Sequence, residues 1–142
     1  MDHARVLLDT GPLGRLVHPH ANQEIARWLK AAASRGAIVL IPEIADYELR
    51  RELLLNGFTR SLERLDDFEQ TLGYVRLTTK TMRRAAELWA DARQAGRPTA
   101  DEKALDADVI LAAQAEATGS AVVTDNPGHL ARYVPTVDWR SA

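Results

Sequence analysis

Four acidic side chains lie at positions where the hydrophobic pattern of the chain calls for apolar groups or plain turns. Asp9 and Asp125 each follow a short apolar run of β type, whereas Glu48 and Asp108 border or interrupt the apolar stripes of helical patterns. An ionised carboxylate is costly to bury without a partner, and clustered carboxylates repel one another. A divalent cation with oxygen ligands resolves both difficulties. The four acids are therefore candidates for one cation site, if the fold brings them together.

Each acid also has a plain interpretation when it is taken alone. Asp9 and Asp125 each begin an ordinary turn sequence, and Glu48 can lie exposed at the edge of its stripe. Asp106 is typical of a residue near a helix N-terminus, where the helix dipole favours an acid. The joint placement favours a site, since the sequence has no Ser-His-Asp order, P-loop or dinucleotide-binding glycine pattern.

The elements that position these acids follow from an alternation of short apolar runs with longer helical patterns. The strand-like runs cover residues 5–9, 37–41, 73–77, 121–124 and 134–138. The first run is closed by Thr10-Gly11-Pro12, which is typical of a turn, and Pro135 places the last run at a sheet edge. Runs that are apolar throughout are typical of strands buried on both faces. The pattern predicts one α/β domain over residues 1–142, with a parallel sheet of about five strands between helices.

Helical spacing of apolar residues predicts helices near residues 25–32, 82–89 and 105–115. In the second of these, the predicted buried face consists of Met82, Ala85, Ala86 and Trp89. Segment 43–72 reads as two helices separated at Asn56-Gly57.

Convergence of the acids depends on strand order, which one sequence does not give. Ligands of open α/β sheets bind at the carboxyl ends of the strands, where the strand order reverses. Asp9 and Asp125 meet there if the first and fourth strands are neighbours. Glu48, on the helix after the second strand, and Asp108, on the helix before the fourth, can then close the ring.

Composition limits the classes of function. With 142 residues, 46% hydrophobic and 27% charged, the chain is typical of one globular domain. The absence of cysteine excludes disulfides, thiolate zinc sites and a cysteine nucleophile, and it fits a reducing compartment; we expect a cytoplasmic protein without a membrane span. A net charge of -2 gives no large basic field, so a nucleic-acid partner needs a local basic patch beside the acids.

Four short motifs resemble, in the right order, those of PIN-domain proteins and above all of VapC-type toxins. The motifs are Val6-Leu7-Leu8-Asp9-Thr10-Gly11-Pro12-Leu13, then Ile41-Pro42 with Tyr47-Glu48-Leu49, then residues 105–115, and then residues 119–126. The resemblance covers nearly the whole chain. It implies a PIN-like fold and hydrolysis of RNA phosphodiester bonds by a Mg²⁺- or Mn²⁺-dependent endoribonuclease, the toxin of a type II toxin–antitoxin pair.

The resemblance also implies the residues of the site. Asp9, Glu48 and Asp108 match the metal-site acids of the family, and Asp125 is the nearest carboxylate to the fourth position. Asn126 falls in the register where the family has Asp or Asn, so either residue can be the fourth. Supporting polar roles are expected for Thr10, Asp106, Thr124 and Asn126.

Partners follow from the same resemblance: an RNA substrate, a cognate antitoxin protein and a second copy of the chain in a homodimer. A few arginines should contact RNA; the candidates are Arg50, Arg51, Arg60, Arg64, Arg83, Arg84, Arg93 and Arg97. Leu54, Leu55 and Phe58 are candidates for a docking groove or dimer contact, although they can equally pack two helices together.

Three other functions stay open. A non-catalytic PIN-like module that binds RNA or protein would keep the fold without cleavage, but the three matching acids count against it. A receiver-like phosphoacceptor domain also clusters acids at strand ends, yet it expects paired acids near the first strand and a lysine after the last, and the chain has no lysine beyond Lys103. A nuclease that acts on DNA would use the same site chemistry.

Overall fold

Five parallel strands form one sheet in the order β3-β2-β1-β4-β5 in the computed structural model, which describes residues 4–96 and 102–141. The strands are β1 (Arg5–Leu8), β2 (Ile38–Pro42), β3 (Gly73–Val75), β4 (Ala121–Val123) and β5 (Thr136–Val137). The chain runs outward from β1 to β3, returns to the other side of β1 and ends at an edge. Strand order therefore reverses between β1 and β4, as the convergence of the acids requires, and β5 with its neighbouring Pro135 lies at an edge as predicted.

Six helices and one short 3₁₀ turn cover the sheet within the described residues. They are α1 (Thr10–Val17), α2 (Gln23–Ser34), α3 (Glu43–Asn56), α4 (Thr59–Thr71), α5 (Thr79–Gln94), α6 (Glu102–Thr118) and the 3₁₀ turn Leu130–Arg132. Asn22 caps α2 and Thr78 caps α5 by accepting backbone N–H groups. Gly57 ends α3 with φ of 68°, a left-handed conformation that glycine adopts without strain. The predicted break at Asn56-Gly57 is confirmed.

Two apolar cores lie on opposite faces of the sheet because side chains of a strand alternate between faces. Val6 and Leu8 of β1 point into a core with α1 to α4, and Leu7 points into a core with α5 and α6. The predicted fold class, a parallel α/β sheet between helices, is confirmed. No helix in the described part of the chain combines the length and apolarity that a membrane crossing demands.

The first helix is where the sequence interpretation was wrong. The predicted turn at Thr10-Gly11-Pro12 is the first turn of α1, which begins directly after β1. Asp9 is its N-cap, and Pro12 is tolerated because N–H groups in a first helical turn have no partner within the helix. Both observations place Asp9 at the point where strand becomes helix.

The predicted buried face of α5 is correct for Ala85 and for the half-buried Trp89, and wrong for Met82 and Ala86. Its buried residues are Thr81, Ala85, Leu88 and Ala92, whereas Met82 is 42% exposed and Ala86 is exposed. The observed face is rotated relative to the predicted one, and α5 packs on α6 through a stripe of mostly small residues, which allows the two helices to approach.

Candidate active site

Asp9 is fixed by hydrogen bonds on both oxygens of its carboxylate. Its Oδ1 accepts the backbone N–H of Thr10 at 2.8 Å, and its Oδ2 accepts the hydroxyl of Thr124 at 2.8 Å. The backbone N–H of Asp9 donates to the carbonyl of Val123, so the end of β1 is joined to the end of β4. Burial raises the pKa of Asp9, the two threonine hydrogen bonds oppose that shift, and Asp125 adds to it.

Glu48 reaches the same region from the second turn of α3. Its Oε1 accepts the hydroxyl of Thr10 at 2.9 Å. The start of α1 therefore supplies one acid, Asp9, and orients a second, Glu48, through Thr10. Burial raises the pKa of Glu48, and the Thr10 hydroxyl opposes that shift; Asp9 raises this pKa further and Arg51 lowers it. Thr10 and Thr124, predicted as supporting polar residues, are both hydrogen-bonded to predicted metal-site acids.

Asp108 approaches from α6, on the side of the sheet opposite α3. Its pKa is raised to about 6, first by burial and then by the negative charges of Asp9 and Glu48, with His129 opposing the shift. Asp9, Glu48 and Asp108 therefore act on one another electrostatically at the carboxyl edge of β1 and β4. The three predicted acids come from three separate elements and lie near enough for Asp9 and Glu48 to raise the pKa of Asp108.

The donor set fits a hard divalent cation. Three partly buried carboxylates, each with a raised pKa, are stabilised by a positive charge between them, and oxygen ligands suit Mg²⁺ and Mn²⁺. As their side chains stand, no three His, Cys, Asp or Glu residues within 4–96 and 102–141 are close enough to hold one ion. Sharing of one cation by these acids stays a prediction.

Asp125 lies beside this group but is engaged elsewhere. Its Oδ2 accepts Nε of Arg15 at 3.0 Å, and its Oδ1 accepts the indole N–H of Trp139 at 2.7 Å. Asn126 is exposed, and its backbone N–H donates to the hydroxyl of Thr124. Whether Asp125 or Asn126 completes the site is a prediction that these contacts do not test.

Asp106 lies apart from the three acids. It is exposed and lines a cavity between α5 and α6 with Met82, Trp89 and Val109. Since α6 turns by about 100° per residue, Asp106 and Asp108 project from different sides of the helix.

Several of the arginines expected at the RNA are occupied by other contacts. Arg50 pairs with three acids on α3 and α4, Arg64 donates to the last carbonyls of α1, and Arg84 pairs with Glu87 and Glu116. Arg97 lies outside the described residues. The sequence interpretation missed Arg15 and Arg140, which both lie beside Asp125 in the folded chain. No local pattern signals them, because Arg15 is 110 positions from Asp125 in the sequence.

An open groove of about 570 Å³ lies along α1 beside Asp125, and Asp9, Glu48 and Asp108 are not among its lining residues. It is lined by residues of α1, the following loop, α3 and the end of β4, including Thr10, Gly11, Arg15 and Asp125. Glu48 is hydrogen-bonded to one wall of this groove through Thr10. A site this open to solvent is less suited to enclosing a small ligand than to contacting a larger molecule.

The model of the PIN domain matches residues 6–134 of this chain. The chain belongs to the PIN domain family. A comparison with curated protein sequences finds no match.

Solved structures similar to this PIN domain include toxin–antitoxin complexes. The VapBC2 complex of Rickettsia felis, bound to a promoter DNA fragment, gives a TM-score of 0.78 at 20% identity, over 95% of this chain and 98% of that one. FitAcB of Neisseria gonorrhoeae gives a TM-score of 0.73 at 21% identity, over 96% of this chain and 99% of that one. DNA-bound VapBC of Salmonella typhimurium gives a TM-score of 0.72 at 20% identity, over 95% of this chain and 98% of that one. At these identities the similarity shows a shared fold, and it confirms the predicted resemblance at that level.

Proposed function

We propose that this PIN domain is a Mg²⁺- or Mn²⁺-dependent endoribonuclease and the toxin of a toxin–antitoxin pair. The observation that carries the proposal is the electrostatic contact among three acids at the carboxyl edge of β1 and β4: Asp9 raises the pKa of Glu48, and both raise the pKa of Asp108. Membership of the family and the VapBC-type structural neighbours support a nuclease in general.

The three acids would hold the cation, which makes a bound water easier to deprotonate and offsets charge that develops on the attacked phosphate. Thr10 and Thr124 donate hydroxyl hydrogen bonds to the carboxylates of Glu48 and Asp9 and so favour one orientation of each. The groove along α1 would hold the RNA strand against them. Without the cation, the acids would repel the phosphate backbone.

The test is a cleavage assay with single-stranded RNA and DNA of the same sequence side by side. RNA cleavage should require Mg²⁺ or Mn²⁺, stop with a chelator, and fall at least 100-fold in Asp9→Asn. Cleavage of the DNA but not of the RNA would contradict the ribonuclease proposal and indicate a nuclease that acts on DNA. Binding of RNA without cleavage in any divalent metal would favour the non-catalytic PIN-like module.

A cytoplasmic location, a cognate antitoxin protein and a homodimer belong to the same proposal. Leu54, Leu55 and Phe58, which could have packed two helices together, are 62%, 84% and 56% exposed at the end of α3 and beyond. Together with the half-exposed Tyr47, they offer an apolar surface typical of a protein contact.

Co-expression with the protein encoded beside it tests this surface. Wild type should arrest growth alone and grow normally with its neighbour, whereas Leu55→Lys should weaken the complex without reducing RNA cleavage. The matched control is Ala86→Lys, which changes an exposed apolar residue on α5 and should leave the complex intact. Harmless expression of the wild-type chain would contradict the toxin proposal.

A further inference from the structure

Asp125 holds two arginines at the rim of the acidic site. Its Oδ2 accepts Nε of Arg15 at 3.0 Å, and its Oδ1 lies 3.7 Å from a terminal nitrogen of Arg140. The indole N–H of Trp139 occupies Oδ1 at 2.7 Å, and that ring is 97% buried in the core. Because each carboxylate oxygen accepts a hydrogen bond, Asp125 is anchored in place between Arg15 and Trp139.

At Asp125 itself positive charge exceeds negative charge, and Glu52 lines the groove further along. One carboxylate faces two guanidinium groups, and both of these also lie over the ring of Trp139, at 5.7 Å for Arg15 and 4.6 Å for Arg140. The ring face attracts a cation and limits the conformations of both side chains. This is the local basic patch beside acids that a chain with a net charge of -2 needs to bind nucleic acid.

Arg15 has the geometry to bind an anion. Among the described residues, only Asp125 accepts a hydrogen bond from it, and that bond uses Nε. Its side chain is 40% exposed and lines the groove that also contains Thr10. The terminal guanidinium nitrogens can therefore meet a phosphate with two parallel hydrogen bonds.

We propose that Arg15 binds a backbone phosphate of single-stranded RNA in the groove along α1, and that Asp125 is the residue that positions it. This inference rests on the proposed nuclease function, since the phosphate lies on the strand presented to Asp9, Glu48 and Asp108. It replaces the expectation that Asp125 is a metal ligand: Asp125 acts through Arg15.

Gly11 shows how closely this arrangement is packed. A Cβ at Gly11 would lie 2.6 Å from Oδ2 of Asp125, too close for the carboxylate to keep its place beside Arg15. A Cβ at Gly14, one turn further along the same helix, would meet only a methyl group of Leu49 at 3.5 Å, an ordinary contact. Gly11→Ala therefore disturbs the arrangement without changing any charge, and Gly14→Ala is its matched control.

The first measurement is the affinity for a fluorescent single-stranded RNA in the Asp9→Asn background, in which RNA is not cleaved, over a series of salt concentrations. Arg15→Gln should weaken binding about tenfold and reduce the slope of log K against log salt by about 0.7, the amount expected for one phosphate contact on a single strand. Arg15→Lys should keep the slope. Arg84→Gln changes an arginine of similar exposure (39%) on α5, which packs on the opposite face of the sheet from α1, and should change neither the affinity nor the slope.

The second measurement separates positioning from metal ligation. In the wild-type background, Asp125→Asn and Gly11→Ala should raise KM for RNA about tenfold and leave kcat and the Mg²⁺ requirement unchanged, while Gly14→Ala behaves as wild type. A fall in Mg²⁺ affinity in Asp125→Asn comparable to that of Asp108→Asn would overturn the assignment of Asp125.

An unchanged salt slope in Arg15→Gln would overturn the phosphate contact, as would equal losses in Arg15→Gln and Arg15→Lys, because equal losses indicate a structural role. These outcomes are distinct from failure of the proposed function. If the wild type binds RNA with a salt slope that depends on Arg15 but never cleaves it, the phosphate contact stands and the proposed nuclease function is wrong.

Discussion

The orientation of the acids in the candidate site depends on two threonines, Thr10 and Thr124. Thr124 is 98% buried, and its hydroxyl donates to Asp9 while accepting the backbone N–H of Asn126. Thr10 gives its backbone N–H to Asp9 and its hydroxyl to Glu48. Hydrogen bonds to an ionised acceptor are among the stronger ones, and here they fix the direction of each carboxylate.

Replacing Thr124 with valine tests this arrangement with nearly the same side-chain volume. Thr124→Val removes a hydrogen bond to a charged group, worth about 1.5–3 kcal/mol, so RNA cleavage should fall at least tenfold while the circular dichroism spectrum is unchanged. The matched control is Thr118→Val, whose hydroxyl donates to backbone carbonyls of α6 away from the acids. Cleavage at the wild-type rate in Thr124→Val would show that Asp9 needs no such support.

Asp108 links the site to stability. Burial and Asp9 raise its folded-state pKa to about 6, above the ordinary value of 3.8. The folded protein therefore binds more protons than the unfolded chain between about pH 4 and 6, so stability falls as pH rises through that window and stays lower above it.

Asp108→Asn should accordingly stabilise the protein at pH 7.5 in buffer free of divalent metal, by about 1 kcal/mol because the carboxyl is partly exposed and solvent screens the repulsion. Asp106→Asn, two residues away and exposed, should leave stability unchanged. Urea unfolding curves at pH 4 and pH 7.5 measure both; the gain in Asp108→Asn should vanish at pH 4. A loss of stability at pH 7.5 would contradict the mutual repulsion.

At the scale of elements, α3 carries Glu48 and is tied to α4 by one arginine. Arg50 contacts Asp46, Asp66 and Glu69 at 2.9, 2.8 and 3.1 Å. Burial and the neighbouring Asp46 raise the pKa of Glu69, which is the sign expected when more carboxylates than cations meet. Removing the arginine leaves three acids facing one another between the two helices.

Arg50→Met keeps much of the aliphatic volume and removes the charge. We expect a loss of about 2 kcal/mol in the free energy of unfolding at pH 7.5, less than for a fully buried ion pair because the side chain is 30% exposed. The loss should shrink at pH 5, where the acids take up protons. Arg84→Met is the control on α5, and an equal loss in both variants would contradict a special role for the α3–α4 contact.

For the whole molecule, the sequence predicted most of what local patterns encode. The five runs became five strands, Gly57 divided two helices, and Asp9, Glu48 and Asp108 stood out because acids interrupted apolar patterns. Helix α1 was missed because Asp9 serves as strand end and helix cap at once. The arrangement around Asp125 was missed because Arg15 and Trp139 meet it only in the folded chain.

The central claim is that three acids from β1, α3 and α6 share one cation. Calorimetric titration of the whole protein with Mn²⁺ tests it most directly, with Asp9→Asn, Glu48→Gln and Asp108→Asn beside the control Asp106→Asn. The account predicts one class of Mn²⁺ site in the wild type, weakened at least tenfold by each of the first three substitutions and unchanged by the fourth. Retention of wild-type affinity in Glu48→Gln or Asp108→Asn would contradict it.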